Sequence, residues 1–295
     1  MNKLTASIVI ATKNRKEDLC RAIDSCLAQK GRPEILIFDD GSDDGTAVLV
    51  RDRYPGVFLH RQERSAGLIA ARTRAASLAA GDIIISIDDD AVFSDASICE
   101  EALRCFSDPC IGAVAIPQVN VLRSPEVINR TPDNKAVYVT SEFIGTAHAL
   151  RRDLFLALKG YRNFFVRQCE EMDYCLRLLE RGYFVRVGAS KPILHYVCPT
   201  RKDPSIAFFS ARNNILFALQ NVPMPHVLAH VTVNIFNLLR KNKGALGPVV
   251  KGIVGGFRDF MQNSEMSRSP VSRKTYRTFR RLRRKGMVRL HAGLK

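Results

Sequence analysis

The stretch that decides the fold is Ile83-Ile84-Ile85-Ser86-Ile87-Asp88-Asp89-Asp90, a short apolar run followed at once by three aspartates. The apolar run predicts a buried strand, so the carboxylates emerge at its C-terminal end. Adjacent carboxylates repel one another, and a divalent cation that prefers oxygen ligands relieves that repulsion. The stretch therefore predicts a metal site at a sheet edge, with an acidic turn that caps the following helix as the alternative.

Two more apolar runs of the same kind precede this one, at residues 7–11 and 34–38. Helical patterns over residues 15–30, 46–53 and 67–80 separate and follow these predicted strands. Strands that alternate with helices are typical of a parallel sheet, whose strands end at a common edge where α/β proteins bind ligands. The polar segments that follow the three strands should therefore lie side by side. These segments are residues 12–15, 39–46 and 88–90.

These segments and several later motifs resemble those of family 2 glycosyltransferases, and they occur in that family's order. The matching stretches are residues 8–15, 38–46, 67–72, 87–91, 145–152, 160–161 and 170–177, within roughly the first two thirds of the chain. The resemblance implies an α/β GT-A fold, with a Rossmann-like, mixed but mostly parallel sheet and flanking helices. It is closest to bacterial rhamnosyl- and galactofuranosyl-type enzymes of polysaccharide synthesis. It also implies inverting, metal-dependent transfer from a UDP- or dTDP-type sugar to a lipid-linked or glycan acceptor.

The same resemblance implies a nucleotide-sugar site at the strand tips. Asp40 matches the acid that binds the imide N–H of a pyrimidine, while Asp39 is either an alternative for that role or a residue that orders the loop. Arg72 is expected to reach the base or the diphosphate, unless it is a surface arginine, and Asp88 to contact ribose or a metal-bound water. The other residues expected to bind the nucleotide are Thr12, Asn14, Arg15 and Asp89.

The implied cofactor is Mg²⁺ or Mn²⁺. Asp90 matches the last acid of the family's metal-binding element, and Asp88 lies two residues before it. His195 is expected to complete the ligand set, as a late histidine does in family members, although a lone histidine is as often structural. Imidazole is a better ligand for Mn²⁺-class ions than for Ca²⁺.

The implied general base is Glu171, which would deprotonate the acceptor hydroxyl. The family's usual Glu-Asp-x-Asp is Glu170-Glu171-Met172-Asp173 here, so Glu170 remains open as the base. Asp173 is expected to cap the helix or to bind the acceptor. The helix dipole alone also favours acids in a first turn, which is the structural alternative.

Net charge divides the chain near residue 200. Residues 1–200 hold 26 basic and 26 acidic residues, whereas residues 201–295 hold 19 and 3. We therefore predict a catalytic domain over 1–200 and a basic helical region over 201–295, with a partly disordered tail. Basic segments with interleaved apolar residues favour an anionic membrane surface, with nucleic acid or a solvated tail as alternatives. Because the acids of the predicted site all precede residue 200, catalysis should survive loss of the tail.

The remaining sequence features favour a cytoplasmic enzyme at the inner face of the cell membrane. We find no signal peptide, no uninterrupted apolar window of transmembrane length and no nucleic-acid fold. A sugar-nucleotide pyrophosphorylase is the second enzyme hypothesis, but it requires a glycine-rich loop after the first strand, and residues 11–15 contain no glycine. A basic membrane or nucleic-acid adaptor without activity is the non-enzyme hypothesis.

Overall fold

A computed structural model describes residues 4–197, 205–264 and 266–294. The strands are β1 (Ala6–Thr12), β2 (Glu34–Asp39), β3 (Phe58–Arg61), β4 (Ile83–Ile87), β5 (Ala91–Phe93), β6 (Ile111–Ala115), β7 (Gln118–Asn120), β8 (Val127–Ile128), β9 (Tyr138–Thr140), β10 (Ala147–Arg151), β11 (Phe184–Val187), β12 (Ile193–His195) and β13 (Met287–Arg289). The helices are α1 (Lys16–Leu27), α2 (Thr46–Arg53), α3 (Leu68–Leu78), α4 (Ile98–Arg104), α5 (Arg152–Ala157), α6 (Glu170–Glu180), α7 (Ser205–Asn221), α8 (His226–Lys241), α9 (Leu246–Gln262) and α10 (Arg273–Lys285).

Two sheets organise the described residues. The larger has the strand order β13-β9-β11-β6-β10-β4-β1-β2-β3, and the smaller has the order β5-β12-β7-β8. In the larger sheet β4, β1, β2 and β3 are parallel neighbours, while β9 and β10 run against the other strands. The predicted mixed, mostly parallel α/β fold is therefore confirmed, and the tips of β1, β2 and β4 lie at one edge.

Successive side chains of the central strands point to opposite faces of the sheet, so the core has two layers. In β1, Ile8 and Ile10 face one hydrophobic cluster, whereas Val9 faces the other. The first cluster packs against α1 and α4, and the second against α3, α6 and α7. Strands buried on both faces carry continuous apolar runs, which is why the three runs were readable as strands.

Helices α7, α8 and α9 follow the catalytic strands, and α9 packs closely on α7. Two glycines of α9 make this approach possible, because a Cβ at Gly252 would lie 2.3 Å from the carbonyl oxygen of Phe208 and one at Gly256 would lie 2.7 Å from that of Arg212. Among the described helices, none combines the length and the apolar content needed to span a bilayer.

The expectation of a partly disordered tail is wrong for α10 and β13. Tyr276, Phe279 and Leu282 each keep only 1% of their surface exposed, because they pack into the hydrophobic clusters of the sheet. Strand β13 pairs with β9 and so extends the large sheet. The tail is therefore part of the folded body, and catalysis is no longer expected to survive its deletion. The proposed division near residue 200 falls among residues 198–204, outside the described residues, and stays a prediction.

Candidate active site

The three aspartates after β4 are bound by side chains from two neighbouring segments. The Thr12 hydroxyl donates to Asp89 at 2.8 Å, and Arg15 Nη1 lies 3.2 Å from Asp89 Oδ1 and 3.0 Å from Asp90 Oδ2. Burial raises the pKa of Asp89 to about 7, although Arg15 and Thr12 act in the opposite direction. Burial also opposes the ionisation of Asp90, but His195 and Arg15 hold its pKa at about 2. The surroundings of Asp90 thus favour its ionised form.

A histidine from the smaller sheet completes this cluster. Strand β12 pairs with β5, directly after the aspartates, and the register places His195 opposite Ala91. His195 Nε2 lies 3.0 Å from Asp90 Oδ1 and 3.8 Å from Asp88 Oδ2. One ligand atom from each of Asp88, Asp90 and His195 lies within 4.8 Å of the others. Two carboxylates and an imidazole suit Mn²⁺ or Mg²⁺, so these residues fit the predicted metal.

Thr146 is a site residue that the sequence analysis left unassigned. Its hydroxyl donates to Asp88 Oδ2 at 2.9 Å and lies 3.4 Å from His195 Nδ1. It therefore orients two of the three candidate ligands, as second-layer hydrogen bonds do in metal sites. Thr146 lies in the matched stretch 145–152, which was the signal that could have identified it.

An open cavity of about 440 Å³ lies at these strand tips. Among the predicted site residues it is lined by Thr12, Arg15, Asp40, Asp88, Asp89, Asp90 and His195. Lys13, which was not among the predicted site residues, also lines it. Both basic and acidic groups line the cavity, so it can accept a ligand that carries both phosphates and a bound cation.

Asp40, in the loop after β2, binds the segment that precedes α3. Asp40 accepts hydrogen bonds from Ser65 Oγ at 2.6 Å and from the backbone N–H groups of Ala66 and Gly67 at 2.9 and 3.0 Å, and the Gln62 amide also donates to it. Asp40 therefore lines the cavity while it orders the start of α3.

Two further residues predicted to bind the nucleotide act within the loops instead. Asp39 is fully buried and accepts from the Ser42 N–H at 2.8 Å, which is the loop-ordering alternative. Asn14 has a left-handed φ of 55° and connects two loops, because its N–H donates to Ser42 Oγ and its side-chain oxygen accepts from the Asp43 N–H. Neither residue lines the strand-tip cavity.

Arg72 lies between the candidate metal ligands and the candidate base. Its guanidinium contacts Asp88 and lies 3.8 Å from Glu170 Oε1 and 3.9 Å from Glu171 Oε1. Burial works against its charge, but the surrounding carboxylates raise its pKa. Arg72 is buried rather than on the surface, and the structure pairs it with acids rather than presenting it to the cavity.

Glycine at position 145 allows this approach of Arg72 and Glu171. A Cβ there would lie 2.3 Å from Glu171 Oε1 and 2.7 Å from Arg72 Nη1. Any larger residue would force the end of one or both side chains to move, so Gly145 is a second unassigned position of the site.

The two glutamates of α6 have different surroundings. Glu171 lines a second cavity of about 840 Å³, whereas Glu170 is 3% exposed and is not among the residues that line it. Burial and the charge of Glu170 raise the pKa of Glu171 to about 8, against the attraction of Arg72. Burial also raises the pKa of Glu170. Glu171 is therefore the acid with both access to solvent and proton affinity.

Asp173 is the one predicted catalytic residue that the structure places away from this chemistry. It is fully buried and binds Arg162 Nη1, Arg177 Nε and Asn221 Nδ2, each at 2.8 Å. A carboxylate bound in this way cannot reach an acceptor. The expectation of acceptor binding is therefore corrected to a structural role that ties α6 to α7.

Helix α7 also positions the segment before α6. The Asn213 amide donates to the carbonyl oxygens of Phe165, Arg167 and Gln168, at 2.6–3.0 Å. Gln168 and Cys169 have positive φ angles of 67° and 69°, a conformation that non-glycine residues adopt only when their surroundings impose it. These hydrogen bonds fix the start of α6 and therefore the positions of Glu170 and Glu171.

Comparison with known proteins agrees with this geometry. The fold and the acid-and-histidine site define a GT-A glycosyltransferase, which is an enzyme. The model of glycosyl transferase family 2 matches residues 7–156, and the chain belongs to that family. This excludes the pyrophosphorylase and adaptor hypotheses as descriptions of the catalytic domain.

Individual relatives are distant. An uncharacterised glycosyltransferase of Bacillus subtilis, YwdF, is 31% identical over 63% of this chain and 72% of its own. The glucosyl-dolichyl phosphate glucuronosyltransferase of Haloferax volcanii is 26% identical over 60% of this chain and 64% of its own. The O-antigen chain rhamnosyltransferase RfbN of Salmonella typhimurium is 23% identical over 64% of this chain and 65% of its own.

Solved structures share the fold at low identity. A mannosyltransferase of Pyrobaculum calidifontis in complex with GDP-Man and Mn²⁺ has a TM-score of 0.62 and 19% identity, with 89% of this chain and 77% of that chain covered. Residues 1–349 of S. aureus TarS in complex with UDP give a TM-score of 0.63 and 15% identity, with 96% and 92% covered.

Proposed function

We propose that this protein transfers a sugar from a nucleoside diphosphate, of the UDP or dTDP type, to a hydroxyl of a lipid-linked or glycan acceptor, with inversion at the anomeric carbon. The observation that carries the proposal is that Arg72 contacts both Asp88, at the strand tips, and Glu171, which lines the second cavity. One cavity would then hold the donor and the other the acceptor.

On the donor side, Asp88, Asp90 and His195 would hold Mg²⁺ or Mn²⁺, which would stabilise the charge that develops on the leaving diphosphate. Lys13 and Arg15 line the same cavity and would attract the phosphates. The complexes of similar structures with UDP, or with GDP-Man and Mn²⁺, support this assignment.

On the acceptor side, Glu171 would take the proton of the attacking hydroxyl. A general base performs best when its pKa is close to the working pH, and the raised pKa of Glu171 meets that condition. One base opposite one leaving group corresponds to a single displacement, which inverts the anomeric centre.

The acceptor is proposed to be lipid-linked or part of a growing polysaccharide, at the cytoplasmic face of a membrane. The names of RfbN and of the glucosyl-dolichyl phosphate glucuronosyltransferase support this class. Exposed apolar residues on α8 and α9 also support it, since large exposed apolar side chains in one region mark an interaction surface. They are Leu228, Val233, Phe236, Leu246, Val250, Val254 and Met261. Four apolar residues at helical spacing on α9 would face the membrane: of these, Val250 and Val254 are exposed, while Ile253 and Phe257 are half-buried.

A panel of nucleotide sugars, incubated with the protein with and without EDTA, tests the proposed reaction. We expect metal-stimulated release of a nucleoside diphosphate from one donor class, and a product of inverted configuration. Release of pyrophosphate, or turnover that EDTA leaves unchanged, would contradict the proposal.

A further inference from the structure

A basic groove of about 640 Å³ lies between α8 and α10, outside both cavities of the proposed reaction. Its α10 wall carries Arg277, Arg280, Arg281, Arg283 and Arg284, and among the described residues no aspartate or glutamate lines it. A cleft lined by one sign of charge concentrates ions of the opposite sign. The groove is therefore suited to an anion.

Buried side chains hold the helix that carries the arginines against the protein body. The burial of Tyr276, Phe279 and Leu282 fixes the helix against the protein body, so its basic face is turned outward. Within the described part of the chain, the nearest acidic partner of these arginines is Glu142, whose Oε1 lies 4.0 Å from Arg283 Nε. Like charges three and four residues apart on a helix repel one another. An arginine cluster with so little internal compensation gains stability from a bound anion.

The α8 wall supplies polar atoms without partners. His230 Nδ1 lies 2.7 Å from the Tyr276 hydroxyl, while His230 Nε2 is buried and has no hydrogen-bond partner in the described structure. Asn234 Nδ2, one turn further along, is likewise buried and unpartnered there. Buried polar groups without partners are rare because each costs free energy, and both side chains line the groove, so a ligand bound there would lie beside polar side chains with unused hydrogen-bonding capacity.

Arg283 connects the groove to the acceptor side of the proposed active site. It lines both the groove and the cavity that contains Glu171, and it donates to Met172 Sδ at 2.9 Å. An acceptor with its sugar beside Glu171 could therefore place a charged group, further along the same molecule, among the arginines. Val233 is 55% exposed and lies in the groove wall, where it offers an apolar contact.

We propose that this groove binds the phosphate or diphosphate of a lipid-linked acceptor, while the terminal sugar of that acceptor lies at Glu171. The inference rests on the proposed function, which it deepens by assigning the acceptor class to named residues. Guanidinium groups bind phosphate oxygens through paired, charge-assisted hydrogen bonds, and several together suit a diphosphate.

Binding of a prenyl diphosphate, measured without donor and in the presence of EDTA, tests the groove independently of catalysis. EDTA prevents binding through a cation at Asp88 and Asp90. The test variant is Arg280→Gln/Arg284→Gln. The matched control is Arg51→Gln/Lys135→Gln, which removes the same charge from exposed residues outside the groove. The probes are farnesyl diphosphate and farnesol.

We expect the test variant to bind farnesyl diphosphate about tenfold more weakly or worse, because each pair of charge-assisted hydrogen bonds contributes that much. The control should bind as the wild type does, and farnesol should bind weakly to all three proteins. Equal losses in test and control would show attraction by net charge alone, and unchanged binding in both would show that the groove is not the site. Either result overturns the proposal.

Vesicles distinguish the acceptor from bulk lipid headgroups. Two kinds of vesicle would be made from an uncharged bulk lipid. One would contain a prenyl diphosphate, and the other enough phosphatidylglycerol to give the same surface charge. We expect the Arg280→Gln/Arg284→Gln variant to lose affinity mainly for the first kind, and equal losses for both, or a preference of the wild type for RNA, would contradict the assignment. Because binding is read without turnover, failure of the proposed transfer reaction would remain distinguishable from failure of the groove.

Discussion

The acid cluster after β4 and the arginine cluster on α10 are both runs of like charge, but their surroundings differ. Asp88, Asp89 and Asp90 are contacted by Arg15, Arg72 and His195 and by two threonine hydroxyls. The α10 arginines form one long contact, with Glu142, among the described acids. The first cluster is thus held in a fixed arrangement before any ligand binds, whereas the second is the one for which we propose an external anion. The aspartates after β4 are therefore suited to hold a ligand in a defined geometry, whereas the arginines of α10 are suited to attract an anion by charge.

The largest expected effect concerns the fixed cluster. Replacing Asp90 by Ala should abolish metal-stimulated transfer, because the loss of the charge stabilisation at a diphosphate costs several kcal/mol in the transition state. Transfer rates over a Mn²⁺ titration measure this, with circular dichroism to check the fold. Asp52→Ala, which changes an exposed acid on α2, is the control and should retain activity. Near wild-type activity of the Asp90 variant would remove Asp90 from the ligand set.

The second prediction tests which of the two glutamates of α6 is the general base. Glu171→Gln keeps the volume but cannot take a proton, so kcat should fall by roughly 10²–10⁴-fold with little change in nucleotide affinity. Glu170→Gln should have a smaller effect, because Glu170 does not line the acceptor-side cavity. Steady-state kinetics of both variants decide the assignment, and inactivity of the Glu170 variant alone would reverse it.

The third prediction tests whether the arginine helix is part of the folded body. Phe279→Ala should lower the free energy of unfolding by about 3–5 kcal/mol, because it leaves a cavity under α10. Val250→Ala, at a side chain 48% exposed, should change it by no more than about 0.5 kcal/mol. Urea denaturation compares the two variants. Equal stabilities would mean that α10 does not pack as described, and a freely solvated tail would be restored as the better description.

A smaller effect appears in the pH dependence of stability. The pKa of Glu171 is about 8 in the folded protein, against a usual value of 4.5, so the folded state holds this proton more tightly than the unfolded chain does. Its contribution to stability is therefore complete below pH 4.5 and is lost as the pH rises towards 8. Glu171→Gln has no such proton, so in EDTA its stability relative to wild type should increase over that interval, by at most a few kcal/mol. Urea denaturation across this pH range measures the change. Glu63→Gln, at an exposed position, should follow the wild type, and parallel pH profiles for all three proteins would contradict the raised pKa.

The smallest effect concerns attraction to lipid. Phe236→Ser and Val254→Ser should weaken binding to anionic vesicles several-fold, since each removes an exposed apolar side chain. High salt should weaken wild-type binding further, because the Debye length falls from about 10 Å at 0.1 M to about 3 Å at 1 M. Val48→Ser, at a position 58% exposed on α2, is the matched control. Vesicle co-sedimentation gives the comparison, and equal binding to neutral and anionic vesicles would count against the membrane surface.

The two regions also differ in how far sequence could predict them. The strands were predictable because each is a continuous apolar run in the sequence. The Asp88–Asp90 cluster was predictable because it directly follows one of these runs. The proposed ligand role of His195 required the family pattern, because its approach to Asp90 depends on the pairing of β12 with β5 across a separation of 105 residues.

The wrong or incomplete expectations have the same origin. Asp173 and Arg72 were assigned from motif position, but their partners are set by tertiary contacts with α7 and α6 that no local pattern reveals. The spacing of Tyr276, Phe279 and Leu282 showed an apolar face on α10. It did not show whether lipid or protein covers that face, and the structure places protein there.

The pairing of β13 with β9 has a consequence for synthesis. The Thr140 hydroxyl donates to the carbonyl oxygen of Gly286, 146 residues later in the chain. While the ribosome is still making the intervening helices, β9 presents an open edge, and an unpaired edge can recruit a strand from another nascent chain. The late arrival of α10 and β13 closes this edge, and the arginines beside β13 would repel a second copy of the same segment. In this sequence of events, the basic tail would protect the nascent protein from self-association as it completes the sheet.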